Sequence, residues 1–276
     1  MKIEDHRVSI GGQSLHRLIL QPEDDKKGTL LFFHGQGDFI DRYPAILEGF
    51  VDAGYRCLLT DLPGHGRSPG RRGVVPGFDF IDELFRESVT HLEGPAIIAG
   101  HSMGGLLALR HFLGHPDLFE AAWFCAPLLA PMRQAKPWMR VTLPMVAKIL
   151  PWLTVGTGVS SSDCGDNTSG RGAETGAVLY HSRISIGWAR ALAEAAQEVR
   201  EQFPSLSDSK PILFTQGQRD PICPPEILAE ELAKLTSHRI RFAQVEDALH
   251  EPFSGSTLQE FSALLNTWIA DELGSR

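Results

Sequence analysis

The stretch that decides the fold is Ala96-Ile97-Ile98-Ala99-Gly100-His101-Ser102-Met103-Gly104-Gly105. It begins with a short apolar run, typical of a buried strand, and a helical pattern follows at once. The Gly-x-Ser-x-Gly motif between them predicts a sharp turn with Ser102 at its tip. The turn strains the backbone, and side chains at Gly100 and Gly104 would collide there. The Met103 N–H would then lie at the start of a helix, where it donates to a developing oxyanion.

Strands and helices alternate on both sides of this turn, and Gly11-Gly12 marks a hairpin near the start. The further predicted strands are Arg7–Ile10, Leu15–Leu20, Thr29–Phe33, Arg56–Thr60, Ala121–Cys125, Pro211–Thr215 and Ile240–Val245. The predicted helices are Tyr43–Ala53, Phe78–His91, Leu106–Leu113, Ile184–Gln202, Pro225–Leu235 and Leu258–Leu273. This alternation predicts an α/β fold, with a mostly parallel central sheet and helices on both faces.

The alternation stops between residues 131 and 203, where no strand signal is clear. Four prolines interrupt apolar segments there, and residues 155–175 are rich in Gly, Ser, Thr and Asp, which is typical of a loop. We therefore predict a helical cap formed by residues 131–203, inserted into a core of residues 1–130 and 204–276. The cap would cover the carboxyl edge of the sheet, where open α/β sheets bind ligands.

Composition excludes several classes of function. The net charge is −8, so no basic excess is present to pair with phosphates, and we expect no nucleic-acid partner. The four cysteines lie far apart without metal-type spacing, which predicts reduced, mostly buried thiols, a cytoplasmic location and no metal or other cofactor. No apolar run has the roughly 18 residues that a spanning helix needs, and we expect no signal peptide.

A serine at such a turn needs an imidazole base and a carboxylate. His250 follows the last predicted strand, so a loop at the carboxyl edge of the sheet would bring its ring over Ser102. Asp220 follows the strand Pro211–Thr215 and reaches the same edge. The order Ser102, Asp220, His250 matches the order of a Ser-Asp-His catalytic triad. Asp247 and Glu246 are rival acids, but they precede the histidine so closely that they reach its Nδ1 with difficulty.

The site also needs a second backbone donor for the oxyanion. The segment His34-Gly35-Gln36-Gly37 follows the first parallel strand, and its glycines allow the backbone to turn its N–H groups toward the serine. We therefore predict an oxyanion hole formed by the N–H groups of Gln36 and Met103. A plain tight turn is the alternative interpretation of this loop.

Motifs spread over nearly the whole chain outside residues 131–203 resemble one family. They are His34-Gly35-Gln36-Gly37, Arg42-Tyr43, Asp61-Leu62-Pro63-Gly64-His65-Gly66-Arg67-Ser68, Gly70-Arg71-Arg72-Gly73, Gly100-His101-Ser102-Met103-Gly104-Gly105, Asp220-Pro221, Pro224 and His250-Glu251. Together they resemble the α/β-hydrolase superfamily, and more narrowly its monoacylglycerol lipase and lysophospholipase branch, also described as serine aminopeptidase S33-like. The resemblance implies Ser102 as nucleophile, Asp220 as acid, His250 as base and a mobile helical lid.

The expected activity is hydrolysis of lipid-like carboxylic esters, monoacylglycerol or lysophospholipid, through an acyl-enzyme. Candidate substrate-binding residues in the cap are Trp138, Met145, Ile149 and Trp152, which would line an acyl tunnel or else pack the cap onto the core. Transient contact of the cap with a membrane surface is a further hypothesis. A small-ester carboxylesterase, a proline-type aminopeptidase, a carbon–carbon bond hydrolase and a non-enzymatic ligand-binding protein stay open as alternatives. The oligomeric state is not predicted.

Overall fold

Eight strands form the central sheet of the computed structural model, which describes residues 1–23, 26–131, 142, 145–165, 179–206 and 209–274. The strands are β1 (Lys2–Ile10), β2 (Gln13–Gln21), β3 (Gly28–Phe33), β4 (Tyr55–Thr60), β5 (Ala96–His101), β6 (Ala121–Cys125), and, after a separate pair described below, β9 (Ile212–Gly217) and β10 (Ile240–Val245). Their spatial order is β1-β2-β4-β3-β5-β6-β9-β10. The β1–β2 and β2–β4 pairs are antiparallel and the other pairs are parallel. The carboxyl ends of β3, β5, β6, β9 and β10 therefore meet at one edge.

Helices cover both faces of this sheet. They are α1 (Pro44–Asp52), α2 (Phe78–Val89), α3 (Met103–Gly114), α4 (Ser161–Cys164), α5 (Ile186–Gln202), α6 (Pro225–Leu232) and α7 (Leu258–Leu273). One apolar cluster joins the sheet to α2, α3, α5 and α6, and a second joins the opposite face to α1 and α7. The central strands β3, β4, β5, β6 and β9 are buried at every position because helices exclude water from both faces.

The predicted α/β fold is thus confirmed, with two differences in local structure. Helix α3 begins at Met103, directly after Ser102, whereas the apolar pattern predicted a start at Leu106. The first turn of this helix contains Gly104 and Gly105, which have no apolar side chain and therefore do not contribute to a helical hydrophobic pattern. The hairpin strands β1 and β2 also extend several residues beyond the predicted segments.

The expectation that residues 131–203 hold no strand is wrong. Thr154–Gly156 (β7) and Arg183–Ser185 (β8) form an antiparallel pair outside the main sheet. These strands are three residues long and mix polar with apolar side chains, so neither shows a period. Their ladder draws together two segments that are 27 or more residues apart in the chain. In addition, the N–H of Ser185 donates to the carbonyl of Gly73 at 2.8 Å, which ties β8 to the core.

Helix α5, predicted as Ile184–Gln202, packs into the same apolar cluster as α3. Its buried residues include the four that the helical period predicted, Trp188, Leu192, Ala195 and Val199, together with Ile186 and Ala196. The division into a core of residues 1–130 and 204–276 and a cap of 131–203 stays a prediction. Within that division, α5 is the part of the cap that shares the interior of the core.

Candidate active site

Ser102 lies at the junction of β5 and α3 in a strained backbone conformation, with φ 56° and ψ −118°. Its N–H donates to the carbonyl of Cys125 at 2.9 Å, which fixes the turn to the neighbouring strand. A Cβ atom at Gly100 would overlap the carbonyl of Gly104, and one at Gly104 would overlap the carbonyl of Phe33. The glycines of the motif are therefore required by the close approach of backbone segments, as the sequence predicted.

Three side chains from three strand ends meet at this turn. His250 Nε2 lies 2.8 Å from Ser102 Oγ, and His250 Nδ1 lies 2.8 Å from Asp220 Oδ2. A carboxylate only accepts hydrogen bonds, so Nδ1 carries the proton and Nε2 is left to accept the hydroxyl proton of the serine. All three side chains are buried. The structure thus brings together the three residues that the sequence predicted as nucleophile, base and acid, with the spacing of a Ser-His-Asp triad.

The carboxylate of Asp220 is itself held in place. Its Oδ1 accepts the backbone N–H groups of Ile222 and Cys223, at 2.8 and 2.9 Å. The rival acids do not reach the histidine ring: the carboxylate of Asp247 points to solvent and lies 3.5 Å from Arg219, and Glu246 is exposed. The geometry therefore favours Asp220 as the partner of the base.

The two candidate oxyanion donors flank the serine. Met103 is the first residue of α3, so its N–H has no partner within the helix. Gln36 lies in the loop after β3, and across the described ranges neither N–H has a recorded hydrogen-bond acceptor. Gly37 in this loop has φ 76°, and a Cβ there would overlap the carbonyl of His181. The Gln36–Met103 pair stays a prediction that this arrangement supports.

A network of buried polar groups lies behind the base, and sequence reasoning did not find it. The Tyr43 hydroxyl donates to Asp38 Oδ2 at 2.6 Å, accepts the Gly35 N–H at 3.3 Å and lies 3.1 Å from His101 Nδ1. On its other side, His101 Nε2 lies 3.2 Å from the carbonyl oxygen of His250. Burial, followed by the nearby charge of His250, lowers the pKa of His101 to about 3. Neutral His101 has one N–H, which Nε2 donates to the carbonyl of His250, while its Nδ1 lies against the Tyr43 hydroxyl.

Arg42 adds an ion pair to this network. Its guanidinium donates to both carboxylate oxygens of Glu251, the residue after the base, and to Asp38 Oδ1 at 2.9 Å. Burial would raise the pKa of Asp38, but Arg42 and the Tyr43 hydroxyl outweigh it and hold this pKa below its ordinary value. The motifs Arg42-Tyr43 and His250-Glu251 were visible in the sequence. However, Arg42 and Glu251 are 209 positions apart, and no sequence pattern indicates that two residues so far apart are in contact.

A thiol lies inside the site. The pKa of Cys223 is raised well above its ordinary value by burial and then by the carboxylate of Asp220, although a hydrogen bond with Ser102 opposes the shift. The thiol therefore stays protonated near neutral pH and does not compete with the serine as a nucleophile. The sequence predicted only a reduced, buried cysteine here, and all four cysteines are free and buried.

Two sets of side chains have ligand atoms within 4.8 Å of one another, among the residues that the structure describes. The first is Asp220, Cys223 and His250, and belongs to the triad. The second is His16, Asp41 and Asp61, where Arg67 Nη2 already lies 3.1 Å from Asp41. Both sets are engaged in hydrogen bonds and ion pairs within the protein, and the proposed chemistry needs no ion at either.

The predicted substrate-binding residues lie on the outside of the described cap. Met145, Ile149 and Trp152 are 67%, 73% and 56% exposed, so in this conformation they do not enclose a tunnel. Trp138 lies outside the described residues. Their role in substrate binding stays a prediction. The sequence does not determine their exposure, because an apolar side chain in a cap can pack against the core or face a lipid surface.

An open groove lies beside the site, between α5 and α6. Its volume is about 860 Å³, and Leu129, Ala130 and Ile227 contribute apolar surface to it. The same three residues also line a smaller cavity that reaches Cys223, next to Ser102. The groove was not found from the sequence, because its walls come from three separate elements.

Comparison with known proteins identifies close counterparts of this architecture. The family described as "Serine aminopeptidase, S33" matches residues 24–256. A monoacylglycerol lipase of Mycolicibacterium smegmatis is 25% identical over 96% of this chain and 96% of its own length. The phospholipase YtpA of Bacillus subtilis is 24% identical over 84% of this chain and 90% of its own. The solved structure of a Paleococcus ferrophilus monoacylglycerol lipase superimposes with a TM-score of 0.81, at 23% identity, over 93% of this chain and 98% of that one.

Proposed function

Because the chain belongs to the serine aminopeptidase S33 family of α/β-hydrolases, we propose that it hydrolyses carboxylic esters of lipid-like substrates through an acyl-enzyme on Ser102. The observation that carries the proposal is the continuous hydrogen-bonded chain Ser102–His250–Asp220, with both links at 2.8 Å. This chain starts on a strained turn at the carboxyl edge of the sheet, where a substrate has access to it.

The first half of the reaction forms the acyl-enzyme. Ser102 Oγ bonds to the ester carbonyl carbon while its proton passes to His250 Nε2, and the carbonyl electron pair moves onto oxygen. Asp220 stabilises the resulting imidazolium without taking its proton. The tetrahedral intermediate then collapses, the bond to the alcohol oxygen breaks, and His250 donates the proton to the leaving alcohol.

Water completes the cycle by the same route. It attacks the acyl-enzyme as His250 removes its proton, and collapse of the second intermediate releases the carboxylic acid and restores the Ser102 hydroxyl. In both halves the oxyanion lies on the N–H groups of Gln36 and Met103. One such donor contributes about 3 kcal/mol to transition-state stabilisation in serine hydrolases.

Monoacylglycerol is the preferred substrate in this proposal, with lysophospholipid next. Support comes from the relatives named monoacylglycerol lipase and phospholipase, and from the groove between α5 and α6, whose apolar residues Leu129, Ala130 and Ile227 also line the small cavity at Cys223. Burial of an acyl chain contributes about 0.8 kcal/mol per methylene, so a groove of this kind favours medium and long chains over acetate. The triad itself is indifferent to chain length.

Contact with a lipid surface fits the outer face of the cap. Among the described residues of the cap, the exposed large apolar side chains are Met145, Ile149, Leu150, Trp152 and Leu153. No helix in the described ranges has the length and apolarity to cross a bilayer, so the contact would be peripheral. The net charge of −8 predicts adsorption to zwitterionic vesicles at least as strong as to anionic ones.

This contact is tested by flotation with phosphatidylcholine vesicles. Trp152→Ser should reduce the bound fraction, whereas Leu118→Ser, at an exposed apolar residue in the short turn after α3, should leave it unchanged. Equal binding of the wild type and Trp152→Ser would contradict the proposed contact.

The function is tested with a panel of substrates at matched concentrations. The panel contains monoacylglycerols of 8 to 18 carbons, lysophosphatidylcholine, p-nitrophenyl acetate and an aminoacyl amide, each measured with the wild type and with Ser102→Ala. We expect the highest kcat/KM on a monoacylglycerol of at least eight carbons, and no activity of the variant. Cleavage of the amide alone would indicate an aminopeptidase, and preference for acetate would indicate a small-ester carboxylesterase.

A further inference from the structure

One indole N–H contacts the side chains of both candidate oxyanion residues. Trp188 Nε1 lies 3.1 Å from Gln36 Oε1 and 3.3 Å from Met103 Sδ. Gln36 is in the loop after β3 and Met103 opens α3, so the two residues reach the site from different elements. The indole of α5 bridges the gap between these elements, with a strong acceptor on one side and a weak sulfur acceptor on the other.

The indole is itself held firmly. Trp188 is 1% exposed, and its ring lies 5.3 Å from the ring of Phe78. Its backbone N–H donates to Ser185 Oγ at 3.3 Å, while the N–H of Ser185 donates to the carbonyl of Gly73 at 2.8 Å. Moving the indole N–H away from Gln36 would therefore require displacing the start of α5.

The amide of Gln36 is fixed at both ends by this segment. Its Nε2 donates to the carbonyl of Arg183 at 2.9 Å, while its Oε1 accepts from Trp188. The two contacts also fix which end of the amide is oxygen, because a carbonyl only accepts and an indole N–H only donates. A Gln36 side chain held at both ends restricts its own backbone, which carries one of the two candidate oxyanion donors.

We propose that Trp188 is a positioning residue for the oxyanion hole, which aligns the Gln36 and Met103 N–H groups by holding their side chains from α5. The proposal rests on the proposed function, because it takes these two N–H groups as the oxyanion donors. It makes α5, the last helix of the predicted cap, part of the apparatus that orients catalytic groups. Cap and oxyanion hole are then coupled through one hydrogen-bond donor.

The test compares Trp188→Phe with Trp268→Phe. Both changes remove a buried indole N–H and keep an aromatic ring, but Trp268 Nε1 has no hydrogen-bond partner within the described part of the chain. We expect Trp188→Phe to lower kcat/KM for p-nitrophenyl butyrate by about tenfold through kcat, because small displacements of catalytic groups cost rate steeply. Trp268→Phe should keep kcat/KM within about twofold of the wild type, because it removes no bond at the site.

A second variant tests the same contact from the other side. Gln36→Leu removes the acceptor and keeps the backbone N–H, so it should lose as much activity as Trp188→Phe. The double variant should lose less than the sum of the two single losses, since both changes break the Trp188–Gln36 bond, while Trp188→Phe also removes the Met103 contact and Gln36→Leu the bond to Arg183. If Trp188→Phe folds poorly, Gln36→Leu in the loop still measures the contribution of the contact.

A transition-state analogue separates positioning from packing. Ser102 Oγ adds to the carbonyl of an alkyl trifluoromethyl ketone, its proton passes to His250, and the resulting oxyanion uses the same two N–H groups. Affinity for this ketone should fall in Trp188→Phe by the same factor as kcat/KM, whereas affinity for the corresponding alcohol should not change. Equal weakening for both ligands, additive losses in the double variant, or wild-type kcat/KM in Trp188→Phe would overturn the proposal.

The two proposals fail in different ways. A simple activated ester reports on the oxyanion hole whatever the natural substrate is, so rejection of monoacylglycerol by the wild type would end only the substrate assignment. Wild-type kcat/KM in Trp188→Phe, with normal monoacylglycerol hydrolysis, would end only the role of Trp188.

Discussion

In the buried cluster of Asp38, Arg42 and Glu251, we predict that removing Arg42 destabilises the fold more than neutralising Glu251, although each change removes one charge. Among the residues that the structure describes, Arg42 is the one cation that forms an ion pair with both carboxylates. Arg42→Leu therefore leaves two buried carboxylates without a positive partner, and breaking a buried pair in this way costs about 3–5 kcal/mol. Glu251→Gln keeps the Asp38–Arg42 pair, so it loses only charge-assisted hydrogen bonds, about 1.5–3 kcal/mol.

The assay is urea unfolding at several pH values, with Arg190→Leu as a control. Arg190 pairs with Glu194 on the exposed face of α5 at 2.7 Å, so its loss should cost less than about 1 kcal/mol. In Arg42→Leu, the two carboxyls are buried without a cation, which raises their pKa above that in the unfolded state. As the pH falls, the native state of this variant therefore takes up protons before its unfolded state does. Its deficit should therefore shrink from pH 8 to pH 5.

Two results would refute this reasoning. One is a larger loss of unfolding free energy for Glu251→Gln than for Arg42→Leu at neutral pH. The other is a deficit of Arg42→Leu that grows on acidification, which would mean that the carboxylates have another cation.

Three further predictions follow from other parts of the site and core. Asp220→Asn presents an amide N–H to His250 Nδ1, which forces the wrong tautomer, so kcat should fall by about 10⁴ in steady-state assays while the melting temperature changes little; a loss below tenfold would contradict the assignment. Gly104→Ala places a methyl group on a carbonyl of β3, and should abolish fluorophosphonate labelling of any folded protein recovered; normal labelling would show that the turn tolerates a Cβ. Burial, then the charge of Arg110, lowers the pKa of His111 to about 3, so only the unfolded state takes up this proton below the ordinary pKa of 6.5. The wild type should thus lose about 1 kcal/mol more than His111→Phe on going from pH 6 to pH 5, measured by urea unfolding, and parallel curves would refute this.

The fold was predictable because its signals are local. The hairpin and the Gly-x-Ser-x-Gly turn each express their geometry within ten residues. Gly11 and Gly12 adopt positive φ, and Gly100 and Gly104 allow backbone segments to approach closely. The meeting of the three candidate triad residues was predictable for a related reason: parallel strands end at one edge, so residues after β5, β9 and β10 had to meet. Position along the chain and chemistry were enough to select Ser102, Asp220 and His250.

The groups that support the triad could not be predicted in this way. Arg42 and Glu251 meet across 209 positions, and Trp188 meets Gln36 across 152. Such contacts depend on the direction in which each side chain points, and neither hydrophobic periodicity nor a sequence motif gives that direction. Trp188 illustrates the limit, because the helical stripe predicted that it is buried but not that its N–H has partners at the site.

The central claim is that Ser102 carries the acyl group, and covalent labelling tests it most directly. The protein is treated with an alkyl fluorophosphonate, digested and mapped by mass spectrometry, while hydrolysis of a monoacylglycerol is followed in parallel. The account predicts one adduct, on the peptide that contains Ser102, with loss of hydrolysis in proportion to labelling and neither label nor activity in Ser102→Ala. An adduct on another residue, or hydrolysis that survives in Ser102→Ala, would contradict it.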